Sequence, residues 1–563
     1  MPEPFETHEV FNQVPPLESY DVFSADLALV EGVEREGAAW ARPELEILGA
    51  LAGSHHAQEL GRLANEHRPE LHTHDRTGHR VDVVEYHPAY HELMATAVGH
   101  GLHAAPWSNP RRGAHVARAA KVIVWYQAEA GHVCPVSMTY SVVPALRHQP
   151  DLAAEWEPLL TTTTYDPTDA PSGAKAGAIC GMALTEKQGG SDVRANTTSA
   201  VPVSGDGAGA GRDSGTYLLT GHKWFCSAPM SDGFLMLAQA PGGLSCFWTP
   251  RWRPDGTRNP IRIQRLKDKL GDRSNASSEI ELQGAWARLV GDEGHGVRTI
   301  IEMVNHTRLD CVLGSTAVLR QGVAQATWHA SHRFAFGRAL VDQPLMTNVL
   351  ADLAVESEAA TAAALRLARC YDADVDDAGA DEHEELLQRI LTPVVKYWTC
   401  KRAPQHTAEA LECLGGNGFV EESPLPRLFR QSPVNGVWEG SGNVICLDVL
   451  RALRREPRSL AAYWDEVELA QGGDSRLDEA AKALRSDLER ESDPGALEPR
   501  ARTLVERMAL VFQGSLLVRT TPGPVSEAFC ASRLAGTGPG VFGNLPSGTD
   551  ARAILERSVP WCG

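Results

Sequence analysis

The sequence predicts a mainly helical α+β chain in which a compact β region separates two helical ones. Three observations carry this. Apolar residues recur at helical spacing through the first ~160 positions. The period then shortens to that of strands between about 178 and 290, where Gly and Asp clusters punctuate the chain. Beyond about 295, long Ala- and Leu-rich helical patterns return.

Taken in order, helical spacing appears in Leu27-Ala28-Leu29-Val30-Glu31-Gly32-Val33, in Leu45-Glu46-Ile47-Leu48-Gly49-Ala50-Leu51 and from Val116 to Tyr126. The stretch Thr161-Thr162-Thr163-Thr164-Tyr165-Asp166-Pro167 reads as a loop, and His72-Thr73-His74 as a solvated polar loop. Candidate strands are Tyr217–Thr220, Gly233–Ala238, Leu244–Trp248, Ile261–Gln264 and Ile280–Leu282, with Gly205-Asp206-Gly207-Ala208-Gly209 as the largest break. Such a pattern suits a small antiparallel barrel or sandwich. The later helical region is interrupted by an acidic connection, Asp372-Ala373-Asp374-Val375-Asp376-Asp377, and the last portion contains the loop Gly536-Thr537-Gly538-Pro539-Gly540. The expected organisation is an N-terminal helical domain (1–177), a middle β domain (178–292), a helical bundle (293–455) and an extra helical C-terminal domain (456–563).

Composition narrows the function. The chain has 563 residues, 43% hydrophobic and 22% charged, as a folded globular protein does. Its apolar runs are too short for a bilayer, which needs about 18 residues. Met1-Pro2-Glu3-Pro4-Phe5-Glu6 has neither the basic patch nor the apolar core of a signal peptide, so a cytoplasmic location is expected. The 11 cysteines are scattered without Cys-x-x-Cys spacing and the 21 histidines form no ligand pattern, so buried thiols and no metal are expected. The formal net charge of −19 opposes long-range attraction to nucleic acid.

Two runs carry the chemistry. Met182-Ala183-Leu184-Thr185-Glu186-Lys187-Gln188-Gly189-Gly190-Ser191-Asp192 joins an apolar segment to a glycine-rich turn with hydroxyls and bare N–H groups. Such a turn suits a planar ring edge and an anionic phosphate, and Gly-Gly is also ordinary turn punctuation. Val437-Trp438-Glu439-Gly440-Ser441-Gly442-Asn443 sets a lone carboxylate beside an aromatic ring, before an apolar helical stretch. Together they resemble the acyl-CoA dehydrogenase superfamily of FAD flavoenzymes, and within it the AidB-like adaptive-response branch. The resemblance runs from near Thr7-His8-Glu9-Val10 past Cys446-Leu447-Asp448-Val449 and weakens in the last hundred or so residues.

The resemblance implies a helical–β–helical, acyl-CoA dehydrogenase-like fold and a homotetramer with FAD at subunit interfaces. It places Met182, Leu184 and Thr185 along the flavin, and Gly190 and Ser191 at its pyrophosphate. In Gly221-His222-Lys223-Trp224-Phe225-Cys226-Ser227, Phe225 and Ser227 match positions that pack against the flavin and donate near N5; Trp and Thr are commoner there. Arg333 and Phe336 match an element reaching the FAD of a neighbouring subunit, and a guanidinium suits phosphate oxygens. Gln343 matches the usual glutamine only loosely. Gly415 and Gly416, in Glu412-Cys413-Leu414-Gly415-Gly416-Asn417-Gly418-Phe419, match a second cross-subunit cofactor element. A helix end with a turn also fits those glycines.

Glu439 is the expected base, because removing the α-proton of an acyl thioester needs a carboxylate at Cα. Some branches carry the base at a position matching Asn305-His306-Thr307-Arg308; Thr307 cannot serve, which leaves Glu439. Trp438, Gly440, Ser441 and Asn443 would line the cofactor. Arg308 matches an arginine near the active-site mouth, and an internal ion pair explains it equally well. The expected activity is α,β-dehydrogenation of an acyl-CoA-like substrate, with an electron-transfer flavoprotein as a candidate acceptor.

The alternative is a duplex-DNA-binding flavoprotein of the alkylation response with little turnover, acting through the appended C-terminal segment. That segment and its approach carry Arg451, Arg454, Arg455, Arg458, Arg500, Arg502, Arg507, Arg519 and Arg533, but acids outnumber bases from 456 onward. A duplex-binding face normally shows a basic excess.

Overall fold

A computed structural model describes residues 7–203, 215–372, 381–490, 494–521, 523–535 and 540–560. The Gly205–Gly209 cluster, Asp374–Asp377 of the acidic connection, Gly536–Pro539, Met1–Glu6 and Cys562 lie outside them. The chain forms two compact units, one of residues 56–310 and one of residues 1–55 with 311–563.

In the 56–310 unit, the helices Ala114–Tyr126 and Val133–Leu146 are buried almost throughout. A hairpin of β1 (Glu70–His74) and β2 (Arg80–Glu85) precedes them. His72 and His74, read from sequence as loop, therefore lie in a strand. The turn chemistry explains it: Asp75 Oδ1 accepts from the Thr77 and His79 N–H groups at 2.8 and 2.9 Å, closing an Asx-type turn that aligns two mainly polar strands.

The expected β region is a 7-stranded sheet. Its strands are β3 (Cys180–Ala183), β4 (Ser199–Pro202), β5 (Thr216–Ser227), β6 (Gly233–Ala240), β7 (Gly243–Pro250), β8 (Ile261–Leu266) and β9 (Ser277–Val290). In the order β3-β6-β4-β5-β9-β7, a further β6–β7 pairing closes β6-β4-β5-β9-β7 into a ring, β3 adds to β6, and β8 adds to β9. Pairing is mostly antiparallel; β3 runs parallel to β6. One side of this sheet packs on helices through Leu235, Leu237 and Trp248, which meet Val142, Leu146 and Trp156 in one buried cluster. The Trp156 and Trp248 rings cross edge-on with centroids 4.7 Å apart.

The other unit is helical. Its long elements are Pro344–Cys370, Glu382–Cys413 and Ala501–Thr520, joined by Leu27–Arg35, Gly442–Arg455, Pro457–Glu468 and Ser475–Arg490. The segment from 456 onward thus shares a compact unit with the preceding bundle. Buried ion pairs tie it in. Arg366 reaches Glu384 and Glu466; Arg533 reaches Asp352 and Glu356; Arg557 reaches Glu31 and Glu358. A short hairpin, β10 (Phe334–Ala335) with β11 (Arg338–Ala339), projects from this unit. Among the described residues no helix is long and apolar enough to cross a membrane, and no cluster of three or more His, Cys, Asp or Glu could hold a metal.

Candidate functional site

The glycine-rich loop after β3 is shaped by one acid the sequence reading passed over. Glu186 is fully buried and accepts from Thr197 N (2.7 Å), Thr198 N (3.1 Å), Thr198 Oγ1 (2.6 Å) and Lys223 Nζ (3.0 Å). Burial alone raises its pKa, but the Thr198 and Thr197 hydrogen bonds and the Lys223 ammonium outweigh it and hold the carboxyl well below the usual range. Lys223, also buried, spends a further bond on Leu237 O at 2.8 Å. Trp224 N donates to Thr185 O at 2.8 Å, which ties the loop to β5. Thr185 is thereby held one residue from the start of the Phe225–Ser227 stretch of β5.

What that frame leaves open is a set of donors. Gly190 and Ser191 are exposed, and among the described residues their backbone N–H groups make no intramolecular hydrogen bond. A Cβ on Gly190 would lie 2.4 Å from Thr185 Oγ1, so only glycine lets the turn fold back on Thr185. Met182, Leu184 and Thr185 are partly exposed. On β5 the Phe225 ring is 51% exposed, large for an aromatic on a sheet. Ser227 Oγ lies 3.2 Å from Ser277 Oγ. Open N–H groups, hydroxyls and a half-exposed ring, over which the Lys267 ammonium lies 4.7 Å from the centroid, fit a ligand that is anionic at one end and planar at the other. Arg308 is buried on the helix Gly296–His332.

Glu186→Ala removes the carboxylate from a buried ammonium. The expected cost is roughly 3–5 kcal/mol, read as a lower urea midpoint. The loop loses at the same time the acceptor that holds Thr197 N, Thr198 N and Thr198 Oγ1 in place.

The second candidate element, Val434–Ser441, belongs to the helical unit. Lys396, buried in the helix Glu382–Cys413, donates from Nζ to Asn435 O, Trp438 O and Gly440 O, each at 3.0 Å. Trp438 Nε1 donates to Asn435 Oδ1 at 2.9 Å. One ammonium thus satisfies three carbonyls and winds the chain into a tight turn. Glu439 sits at its apex, partly exposed, with φ 58°. The left-handed region costs an L-residue about 1–2 kcal/mol. Ser441 precedes the helix Gly442–Arg455, and Asn443 Oδ1 accepts from Arg502 at 2.8 Å.

The remaining candidates stand at exposed corners. Phe336, at the tip of the β10–β11 hairpin, is 97% exposed with φ 51°. Arg333 donates to Asn12 O, and the Asn12 side chain pairs with both backbone groups of Phe334 at 2.8 Å, so an N-terminal segment braces the hairpin. Gln343 Nε2 bonds Ala335 O at 3.0 Å and so stabilises the hairpin. Gly415 has φ 59°, and a Cβ on Gly415 or Gly416 would meet nothing within 4 Å.

Seven described non-glycine residues have left-handed φ: Asn12, Ser19, Asp82, Ala228, Asp272, Phe336 and Glu439. Ala228, Phe336 and Glu439 stand on or beside elements singled out above. Strain of this kind concentrates at functional sites.

Residues 12–167 match the model of the adaptive response protein AidB N-terminal domain. Residues 181–285 match the acyl-CoA dehydrogenase middle domain, and residues 294–454 its C-terminal domain. A putative acyl-CoA dehydrogenase AidB of Escherichia coli is 43% identical over 93% of this chain and 94% of its own length. The chain belongs to the AidB branch of the acyl-CoA dehydrogenases. Acyl-CoA dehydrogenase family member 11 of Caenorhabditis elegans is 31% identical over 82% of this chain and 77% of its own. The crystal structure of Caenorhabditis elegans ACDH-11 in complex with C11-CoA superposes with a TM-score of 0.83 and 26% identity, covering 93% of each chain.

Within this AidB-type chain, most arginines considered for DNA are already engaged. Arg451 pairs with Asp448, Arg458 with Glu382, Arg500 and Arg507 with Asp487, Arg519 with Glu466, and Arg533 with Asp352 and Glu356.

Proposed function

We propose that this chain is an FAD-dependent acyl-CoA dehydrogenase of the AidB type that removes the α-proton of an acyl thioester with Glu439. The fit of the cofactor rests on the donor set. The open N–H groups of Gly190 and Ser191 suit the pyrophosphate, and Leu184, Thr185, Phe225 and Ser227 suit the ring and its polar edge. When bound, FAD supplies the acceptor for the β-hydrogen, which leaves as hydride.

The chain's own part is positioning and proton transfer. Glu439 is a carboxylate held at the apex of a turn that Lys396 clamps through three carbonyls. That turn carries the reading. The clamp uses main-chain oxygens only, so the base is oriented without the Lys396 ammonium bonding to its carboxylate. Trp438, Gly440, Ser441 and Asn443 complete the same turn and the entry to the next helix.

Phe336 and Phe419, 97% and 79% exposed, are rings that a second copy of this chain would cover. Arg333, Phe336, Gly415 and Gly416 then act on a neighbouring subunit's cofactor in a homotetramer. Duplex DNA is the weaker reading, because the segment from 456 is acidic overall and its arginines are paired.

Anaerobic titration of the purified yellow protein with acyl-CoAs tests the proposal. Bleaching of the flavin band by at least one acyl-CoA is the expected result. A colourless protein that takes up no FAD, or a flavin that no acyl-CoA reduces, sinks it.

A further inference from the structure

Just beyond the Glu439 turn, the helix Gly442–Arg455 packs on both Glu382–Cys413 and Ala501–Thr520, all within one compact unit. Each of the three brings a polar group there that the fold leaves open. Arg502, in the segment beyond 455, donates from Nε to Asn443 Oδ1 at 2.8 Å. A guanidinium has only donors, so this bond fixes the amide: Oδ1 faces Arg502, and Nδ2 is turned away with both protons unspent.

Lys401 closes the group from the side. Gly442 is buried against it: a Cβ there would lie 3.0 Å from Lys401 Cε and 3.5 Å from its Nζ, so the lysine stem runs along the backbone next to Asn443. Burial pushes the Cys446 thiol, one turn into the same helix, up to about 11, and the Arg502 and Lys401 charges both pull it down. The two cations thus act on one point from two different helices.

Neither cation is neutralised. Among the described residues Lys401 has no ion pair or hydrogen bond, and Arg502 has no bond but the one to Asn443, which leaves both Nη groups open. Glu506, one turn beyond Arg502 on the same helix, does not pair with it. This stands out in a chain of net charge −19, where Arg500, Arg507, Arg519 and Arg533 of the same segment are all held by acids. Lys401, Asn443 and Arg502 are exposed, so a ligand reaches them without opening the fold. Two uncompensated cations beside a fixed amide donor suit an anion with several oxygens.

We propose that Lys401, the Nδ2 group of Asn443 and the guanidinium of Arg502 form a phosphate-binding site beside the Glu439 turn. This deepens the acyl-CoA dehydrogenase reading and rests on it: both ligands of that reading, FAD and an acyl-CoA, carry phosphates. A phosphate offers three acceptor oxygens to three donors, where a carboxylate offers two. Arg502 thereby gives the segment beyond 455 a part in holding the small-molecule ligands.

Two titrations test this and tell the phosphate sources apart. Flavin fluorescence on dilution of the holoprotein gives the FAD dissociation constant. Calorimetry at saturating FAD gives that of the acyl-CoA that bleaches the flavin best, and of the S-acyl pantetheine with the same chain, which carries no phosphate. Arg502→Gln and Lys401→Gln are each expected to weaken a phosphorylated ligand about tenfold, and Arg502→Lys to recover part of the loss. Weaker FAD places an FAD phosphate at the site. Weaker acyl-CoA with unchanged S-acyl pantetheine places a phosphate of coenzyme A there. Arg454→Gln, which removes an equal charge from an exposed arginine of the helix Gly442–Arg455, controls for long-range attraction. Binding of both ligands unchanged in Arg502→Gln and Lys401→Gln, or weakened no more than in Arg454→Gln, overturns the proposal. So does a loss shared equally by acyl-CoA and S-acyl pantetheine, the mark of a distorted turn and not of a phosphate contact. The substituted side chains are exposed, so the variants keep the fold, which an unshifted melting temperature checks. Failure of the underlying reading looks different: the wild type itself binds neither FAD nor any acyl-CoA, and both proposals fall together.

Discussion

Glu439→Gln is expected to keep its FAD and to lose flavin bleaching by about 10²–10⁴-fold, the usual contribution of a positioned general base. The isosteric amide leaves the turn intact, because Lys396 holds it through the carbonyls of Asn435, Trp438 and Gly440. Visible absorption at unchanged cofactor content and stopped-flow reduction by an acyl-CoA together check this. A companion variant separates chemistry from backbone strain. Glu439→Gly is equally inactive, yet it relieves a left-handed φ of 58° that costs an L-residue about 1–2 kcal/mol. Glycine's extra chain entropy takes back about 0.5–1 kcal/mol, so this variant should be no less stable than the parent. Full activity in Glu439→Gln would move the base elsewhere.

The broad plan was legible because it rests on periodicity. All the strand candidates from Tyr217 to Leu282 fall within β5 to β9; β5 alternates between buried and exposed residues, whereas β6 and β7 are short apolar runs buried on both faces and bounded by turn residues. The β1–β2 hairpin left no such mark. β1 alternates only between exposed and half-buried residues, β2 buries just Asp82 and Val84, and the pairing is set by the Asp75 turn. The glycine-rich loop and the Glu439 turn were visible as motifs, but the groups that hold them were not. Lys396 and Lys223 are single charges in apolar runs, Val394-Val395-Lys396-Tyr397-Trp398 and the β5 segment. A lone ammonium in such a run must find buried oxygens, and that was a usable signal. Which oxygens it finds is a tertiary fact: Asn435 lies 39 residues from Lys396 in the chain, and Glu186 lies 37 from Lys223. Arg502 was less legible still. Nothing near Ala501-Arg502-Thr503 shows that its guanidinium reaches Asn443, which lies 59 residues away in the chain.

The tie between the last hundred residues and the bundle is tested most severely at Arg366. Its guanidinium lies in the helix Pro344–Cys370 and forks onto Glu384 at 2.8 and 2.9 Å, while Nη2 also reaches Glu466 of the helix Pro457–Glu468 at 2.7 Å. All three side chains are buried. Burial alone raises Glu466, but Arg366 and then Arg519 outweigh it and bring the carboxyl to about 2. Glu384 is lowered too, by Arg366 against the opposing effect of burial. Arg366→Met removes the buried guanidinium shared by two carboxylates and leaves them to Arg519 on Glu466 and the half-exposed Arg369 on Glu384, so a loss of roughly 3 kcal/mol, the low end for a broken buried pair, is expected at neutral pH. The sign of the pH dependence follows from depressed native pKa values. The wild-type contribution is complete above the unfolded value of 4.5 and is lost as pH falls toward 2. The difference between wild type and Arg366→Met in urea is therefore largest near pH 7 and shrinks steadily below pH ~4.5. A single cooperative transition, lowered as a whole, means that the segment from 456 folds with the bundle. Two transitions, with only one displaced, would instead make that segment a separable module and restore it as a candidate for a function of its own.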